Sequence, residues 1–186
     1  MELKPIHDQE EKNIPKFDRN LWEKCVSFHG HACPGLAIGF KAAEAAVKKL
    51  GLKFSEDEEI VCITENNACG VDAIQYITSC TFGKGNLIFV NRGKQAFTFY
   101  RRDTEEGIRI VLKSLERPQN REEWMNSLLD SDVEEIFEFK SPKYPLPKKA
   151  NIYPSIKCEI CGETAAEPYI RLKEGKLVCI DCFEEY

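Results

Sequence analysis

Apolar residues recur at helical spacing through Leu36, Phe40, Ala43, Val47 and Leu50. They predict a helix with Cys33 as its N-cap, Pro34 at its first position and Gly51 as its stop. Upstream, Asp18 is placed to cap a shorter helix through Leu21, Trp22, Cys25 and Val26, which breaks in the glycine-containing run Phe28–Gly35. Glu59–Thr64 reads as a strand, Asn66-Asn67-Ala68-Cys69-Gly70 as a turn, and Val71–Cys80 as a helix carried by Val71, Ile74, Ile77 and Thr78. Leu87–Val90 and Ala96–Tyr100, separated by Asn91-Arg92-Gly93-Lys94-Gln95, read as a hairpin. Ile108, Ile110 and Leu112 alternate as a strand, Arg121–Leu129 is a helix with Trp124 and Leu128 on one side, and Ile136–Phe139 is a last strand. Helices early and an antiparallel sheet in the middle make an α+β domain.

The pattern changes at Ser141-Pro142-Lys143-Tyr144-Pro145-Leu146-Pro147-Lys148-Lys149, which with Pro154 holds too much proline for a helix interior or a central strand. The expected organisation is a core domain over 1–140, a proline-rich linker over 141–154 and a small module over 155–186. In that module Cys158-x2-Cys161 is followed, seventeen residues later, by Cys179-x2-Cys182. Both spacings are those of a four-cysteine zinc site. Tyr169–Leu172 and Leu177–Val178 form a hairpin around Glu174-Gly175, and Cys182 leads into a single helical turn over Phe183–Tyr186, the order of a treble clef or zinc ribbon. With thiolate at every position the zinc is structural, and about 35 residues offer so little core that the metal supplies the folding energy. Iron held in the manner of a rubredoxin is the alternative, since thiolate tetrahedra accept either ion.

Composition narrows the partners. The 186 residues carry 26 Lys and Arg against 31 Asp and Glu, a formal charge of −5, which disfavours generic attraction to nucleic acid or anionic lipid. Over 151–186 four basic residues face seven acidic ones, a net −3, so the finger is expected to dock on protein. The apolar runs Ala42–Val47 and Leu87–Val90 fall far short of the roughly 20 residues of a membrane span. Met1 to Arg19 lacks the apolar centre of a secretory signal, and the chain is expected to be cytoplasmic. Nine cysteines, an odd number, fit ligands, reactive thiols or small core residues in a reducing compartment.

Two of the three histidines lie in Phe28-His29-Gly30-His31-Ala32-Cys33-Pro34-Gly35. Alternation lets His29, His31 and Cys33 share one side of an extended loop, a soft donor set suited to zinc, iron, nickel or copper. Cys33 and Cys69 each precede a helix, whose N-terminal partial charge favours thiolate, so two electropositive helix ends could converge on one site. Three readings stay open here: a metal site, a redox thiol at Cys33 without metal, and histidines that cap backbone in a buried loop. Cys80 is a further candidate neighbour. Cys25 and Cys62 read as small core residues, and Gly83-Lys84-Gly85 as a glycine turn without P-loop spacing.

The run Phe28–Gly39, the stretch Glu65–Cys69 with Val71-Asp72-Ala73-Ile74-Gln75, and Cys80-Thr81-Phe82-Gly83-Lys84-Gly85-Asn86-Leu87 together resemble the FmdE family, proteins similar to the FmdE component of formylmethanofuran dehydrogenase. The likeness extends over most of residues 15–140, and the terminal cysteine module resembles the zinc finger that many members carry. It implies an α+β core, a homodimer, and a metal or reactive-cysteine crevice at His29, His31, Cys33 and Cys69. An arm before Asp18 could exchange between partners in such a dimer. The resemblance points to an accessory or docking component of formylmethanofuran dehydrogenase or a related redox complex. The alternatives are a stand-alone metalloenzyme or metallochaperone with zinc or another transition metal at the core site, and a zinc-finger transcriptional regulator. In the enzyme reading Asp72 or Glu65 serves as general base or orients a ligand, against the plainer role of a solvated or capping carboxylate.

Overall fold

A computed structural model describes residues 15–54 and 56–184. The chain divides into two compact units at Lys149/Ala150. The first contains α1 (Arg19–His29), α2 (Pro34–Leu50), β1 (Ile60–Thr64), α3 (Gly70–Thr78), β2 (Leu87–Phe89), β3 (Ala96–Arg101), β4 (Gly107–Leu112), α4 (Arg121–Asp130), α5 (Val133–Ile136) and β5 (Phe137–Lys140). The arm expected to exchange between partners lies, up to residue 14, outside the described residues.

The strands form one sheet in the order β2-β1-β3-β4-β5. β2 and β3 are therefore not the expected hairpin. β2 pairs with β1, in parallel, and β1 separates it from β3, which runs antiparallel to β1. β1, α3 and β2 make a crossover unit, because parallel neighbours need a long connection that a helix supplies. All five residues of β1 are buried, as befits a strand with partners on both sides. The five residues 91–95 would also suit a hairpin, so loop length does not reveal the strand between.

Period-two alternation sorts the sheet residues by face. Cys62, Phe97, Phe99, Ile110 and Phe137 join the main core with the helices, while Val61, Ile63 and Tyr100 cluster on the opposite face under Tyr144 and Leu146. The start of the proline-rich stretch is thus a strap on the sheet. Tyr100 donates its hydroxyl to the Tyr144 carbonyl at 2.5 Å, and Arg102 reaches the Pro147 carbonyl at 2.6 Å.

α2 is buried without interruption from Leu36 to Val47. Its two charged members there are paired, Lys41 to Glu44 at 2.6 Å, as low-dielectric burial requires. One close approach sets the site. A Cβ on Gly39 would lie 1.9 Å from the Gly70 carbonyl oxygen and 2.4 Å from the Gly70 Cα, and one on Gly70 would lie 2.9 Å from the Gly35 oxygen. Only glycine at both positions lets α2 and α3 pack this closely, which brings together the cysteines at their starts.

The second unit contains β6 (Ser155–Lys157), β7 (Thr164–Ala166), a 3-10 turn at Glu167–Tyr169, β8 (Ile170–Lys173), β9 (Lys176–Cys179) and α6 (Ile180–Phe183). β6 pairs with β7 and β8 with β9, both antiparallel. The second hairpin turns on Glu174 and Gly175, both at positive φ, as expected from Glu174-Gly175. The first hairpin, which encloses Cys158 and Cys161, has no counterpart in the sequence pattern. The terminal helical turn starts at Ile180, so it carries Cys182 instead of following it, and residues 185–186 lie outside the described residues. Among the described residues no helix is long and apolar enough to cross a membrane.

Candidate metal centres

Four side chains of the first unit converge. One ligand atom from each of His29, His31, Cys33 and Cys69 lies within 4.8 Å of every other. Three of the four are held by helix ends. His29 is the last residue of α1, which stops at Gly30 in the left-handed region with its N–H on the Val26 carbonyl. Cys33 is the N-cap of α2, its Sγ accepting from the Leu36 N–H at 3.3 Å. Cys69 stands before α3 in helical conformation, without a side-chain cap bond. The turn that delivers it is fastened by Asn66, whose side chain accepts from the Ala68 N–H at 3.0 Å and donates to the Lys94 carbonyl at 2.7 Å.

The orientation of His29 decides the chemistry. Its Nδ1 is 2.7 Å from Asp72 Oδ2, and Gln75 donates to the other carboxylate oxygen at 3.3 Å. An ionised carboxylate can only accept, so Nδ1 carries a proton and Nε2 is the nitrogen left to ligate. That Nε2 is buried and has no hydrogen-bond partner. An imidazole fixed by a carboxylate at one nitrogen, with the other facing a ring of soft donors, is the arrangement of a metal-binding histidine. His31, its ring centroid 4.5 Å from that of His29, is solvent-exposed. Burial and a hydrogen bond that the Cys69 thiol donates to Cys33 push the Cys69 thiol up; a divalent cation reverses that preference, since it takes the place of the proton on sulfur. The residues present fit a soft transition-metal ion.

Two candidates lie elsewhere. Cys80 is fully buried away from the cluster, with its thiol directed at the Ile60 carbonyl at 3.5 Å and pushed up by burial to about 11. Glu65 is spent on a buried bidentate pair with Arg109, at 2.6 and 2.9 Å, and is not available as a base. Cys25 and Cys62 are core residues, with thiols that burial raises, Cys25 to about 12. Of the two carboxylates considered, Asp72 reaches the cluster.

In the second unit the donor atoms of Cys158, Cys161, Cys179 and Cys182 also lie within 4.8 Å of one another. Cys158–Cys161 forms a tight knuckle: the Cys158 N–H donates to the Glu163 carbonyl at 2.8 Å, and the Gly162 N–H returns to the Cys158 carbonyl at 3.0 Å. Cys161 Sγ and Cys179 Sγ are 3.8 Å apart, the edge expected of a tetrahedron with zinc–sulfur bonds of about 2.3 Å. Backbone N–H groups around Cys158, those of Cys179 and Cys161 foremost, pull its thiol down to about 6, whereas burial and three neighbouring thiols push Cys182 up to about 12. Such a set ionises fully only around a cation, and four converging sulfurs fit structural zinc.

Comparisons with known proteins agree with this division. The family model described as FmdE, molybdenum formylmethanofuran dehydrogenase operon, matches residues 28–141. The model of the prokaryotic dksA/traR C4-type zinc finger matches residues 151–186. Fold and clusters thus define an α+β domain with a histidine–cysteine crevice, followed by a four-cysteine zinc finger. The chain belongs to the FmdE family. It is 29% identical over 209 aligned positions to a probable S-adenosyl-L-methionine-binding protein of Archaeoglobus fulgidus, with 95% of this chain covered and 56% of that protein. The chain therefore spans little more than half the length of that curated relative. It is also similar to the crystal structure of a tungsten formylmethanofuran dehydrogenase FmdE-like protein from Syntrophus aciditrophicus. Identity there is 26% and the TM-score 0.65, with 88% of this chain and 90% of that chain covered.

Proposed function

We propose that this is a metal-binding accessory protein of a formylmethanofuran dehydrogenase or a related redox complex. His29, His31, Cys33 and Cys69 hold zinc or another soft transition metal in the core, and the acidic zinc finger docks the protein on its partner. One observation carries the metal assignment: the buried, partnerless Nε2 of His29, held in its ligating tautomer by Asp72 and facing three further donors. When bound, the ion supplies a Lewis-acidic positive charge. The chain's part is to fix its donors, with Asp72 orienting His29 and the starts of α2 and α3 positioning Cys33 and Cys69. The partner assignment is supported by membership of the family and by the likeness to the Syntrophus protein.

A second reading, a metalloenzyme or metallochaperone, is favoured by the exposure of His31 on the wall of a cavity. A ligand exposed in this way is the one most readily exchanged for water or substrate. Elemental analysis of full-length protein purified without added metal is the test, compared with Cys33→Ser. Occupancy of both clusters in the parent and of the finger alone in the variant is expected, while unchanged occupancy on Cys33→Ser overturns the core assignment. Turnover by the isolated chain, with no stable partner recovered from native extract, replaces the accessory reading with the second.

A further inference from the structure

Cys33 and Cys69 are neighbours as well as ligands. Cys33 opens α2 as its N-cap, and Cys69 stands at the start of α3. Their sulfurs lie within 4.8 Å of each other, close enough for the Cys69 thiol to donate a hydrogen bond to Cys33. Gly35, in the first turn of α2, leaves the room for this. A Cβ there would stand 3.2 Å from Cys69 Cβ, 3.7 Å from Cys69 Sγ and 3.8 Å from Cys33 Sγ, so a side chain would crowd Cys69 and touch both sulfurs. From such contact a disulfide of about 2.05 Å is reached by turning the side chains. Cys69 makes no side-chain cap bond to its helix, so it loses none when it turns. The remaining cysteines of the unit, Cys25, Cys62 and Cys80, have no solvent exposure. Cys69 is partly buried, and Cys33 borders a cavity beside the exposed His31, so the pair can be reached by a small oxidant.

We propose that this pair is a redox switch on the core metal: a peroxide joins Cys33 to Cys69 in a disulfide and releases the ion, and a dithiol reverses both. The proposal rests on the core cluster holding a metal ion. Thiolate is both the form that ligates metal and the form that a peroxide oxidises. Cys69, the more exposed of the two, attacks one peroxide oxygen; the O–O bond breaks, leaving a sulfenic acid on Cys69 and, with one proton, a water. The Cys33 thiolate then attacks the Cys69 sulfur, the S–O bond breaks, and the hydroxyl leaves with a second proton as a second water. Two electrons have passed from the thiolates to the peroxide. The disulfide offers no anionic sulfur, so the ion is left with two imidazoles and departs. The scaffold outlasts the loss, because α2 and α3 are held by the apolar core and by the contact of Gly39 with Gly70. Reduction therefore returns the two sulfurs to their places.

The test titrates full-length, metal-loaded protein with hydrogen peroxide, alkylates the remaining thiols and maps every cysteine by mass. A peptide pair joining Cys33 to Cys69 should accumulate, with core metal passing to a chromophoric chelator in step with it. The finger's cysteines, mapped in the same digest, account separately for any zinc lost there. Amide-exchange protection of the β1–β3–β4 strands should persist in the oxidised protein, and dithiothreitol with added zinc should restore core occupancy. Oxidation of Cys69 to sulfinic acid with Cys33 still free, or either residue joined to a different cysteine, overturns the switch. So does metal that stays after the cross-link forms, or a core that does not reload after reduction. Core metal present without any cross-link overturns the switch alone. Metal confined to the finger before peroxide is added overturns the core metal reading, and the switch with it.

Discussion

The core and tail clusters each gather four donors within the same span, but the scaffolds that hold them are built in opposite ways. In the first unit His29, Cys33 and Cys69 ride on the ends of three helices whose packing rests on a large apolar core of Leu36, Ile74, Phe97, Phe99 and Phe137. In the second unit the buried apolar residues are Cys158, Val178 and Cys179, with Ala165 and Cys182 packed against them. The tail has little interior apart from its ligands. Its large apolar side chains face outward, Leu172 at 68% and Tyr169 at 59% exposure. A site whose donors sit on an independent core is free to use mixed donors and an exposed edge such as His31, whereas the tail site makes up most of its unit's interior and draws it together through four thiols.

Stripping metal with a chelator should break this comparison most widely. Structural zinc contributes on the order of 10–16 kcal/mol in small finger peptides at neutral pH, far more than a unit of this size gains from burial. Residues 150–184 should lose amide-exchange protection completely while the β1–β3–β4 strands keep theirs. Persistent protection of β8 and β9 in metal-free protein would show that the tail folds without its ion.

The next effect confines itself to the core. Truncating Glu65 to Ala leaves Arg109 charged and buried at 3% exposure, a defect worth about 3–5 kcal/mol. The Arg109 guanidinium holds the Glu65 carboxyl below its ordinary value of 4.5. Its stabilisation is thus fully present above about pH 4.5, where both folded and unfolded forms are ionised, and is lost as the pH falls through the lower folded-state value. Urea unfolding of the first unit should show the deficit of Glu65→Ala at pH 7 and a shrinking one on acidification, with tail zinc unaffected at neutral pH. A deficit independent of pH would detach it from the ion pair.

Much of this is legible along the chain because its signals are local. The N-cap Cys33, the stop at Gly51, the strand at Ile60–Thr64 and the cysteine spacing of the finger all depend on residues close together in sequence. What escapes depends on distant partners. Nothing near Leu87 or Ala96 says that β1 lies between them. Glu65 reads as a candidate base because Arg109, which consumes it, is 44 positions away. Asp72 can be singled out by nearness to Cys69, but its contact with His29 spans 43 positions, and this contact fixes the tautomer. Gly39 and Gly70 read as ordinary small residues until their backbones meet.

That meeting of backbones gives a sharper test. In Gly39→Ala the new methyl would stand 1.9 Å from a backbone oxygen that no side-chain rotation can move, so α2 and α3 must separate, at a cost of about 1–3 kcal/mol. The separation moves Cys33 away from Cys69. Reduced stability together with reduced metal at the core and full zinc in the finger is expected from unfolding and elemental analysis. Full metal content at both clusters would show that the core site tolerates loosened helices.

Asp72→Asn should give the smallest change in stability and the most selective change in function. Asp72 is 38% exposed at its side chain and carries no packing of the core, so the fold should lose only a few tenths of a kcal/mol, as surface substitutions usually do. The carboxylate has one way to meet His29, as acceptor from Nδ1–H, and that leaves Nε2 free to bind metal. Asparagine has two: its amide oxygen can accept in the same way, or its NH2 can donate to Nδ1 and stabilise the tautomer with the proton on Nε2, which cannot ligate. It also lacks the negative charge that makes the imidazole a stronger donor. Loss of such a partner typically weakens metal binding about 10- to 100-fold, and competition against a chromophoric chelator should find that loss at the core, with finger zinc as the internal reference. Equal core affinity in the variant would mean that the geometry of His29 is set by α1 and Gly30 alone, and the distinction between a cluster tuned by its surroundings and one that is its own interior would then rest on the exposed edge at His31.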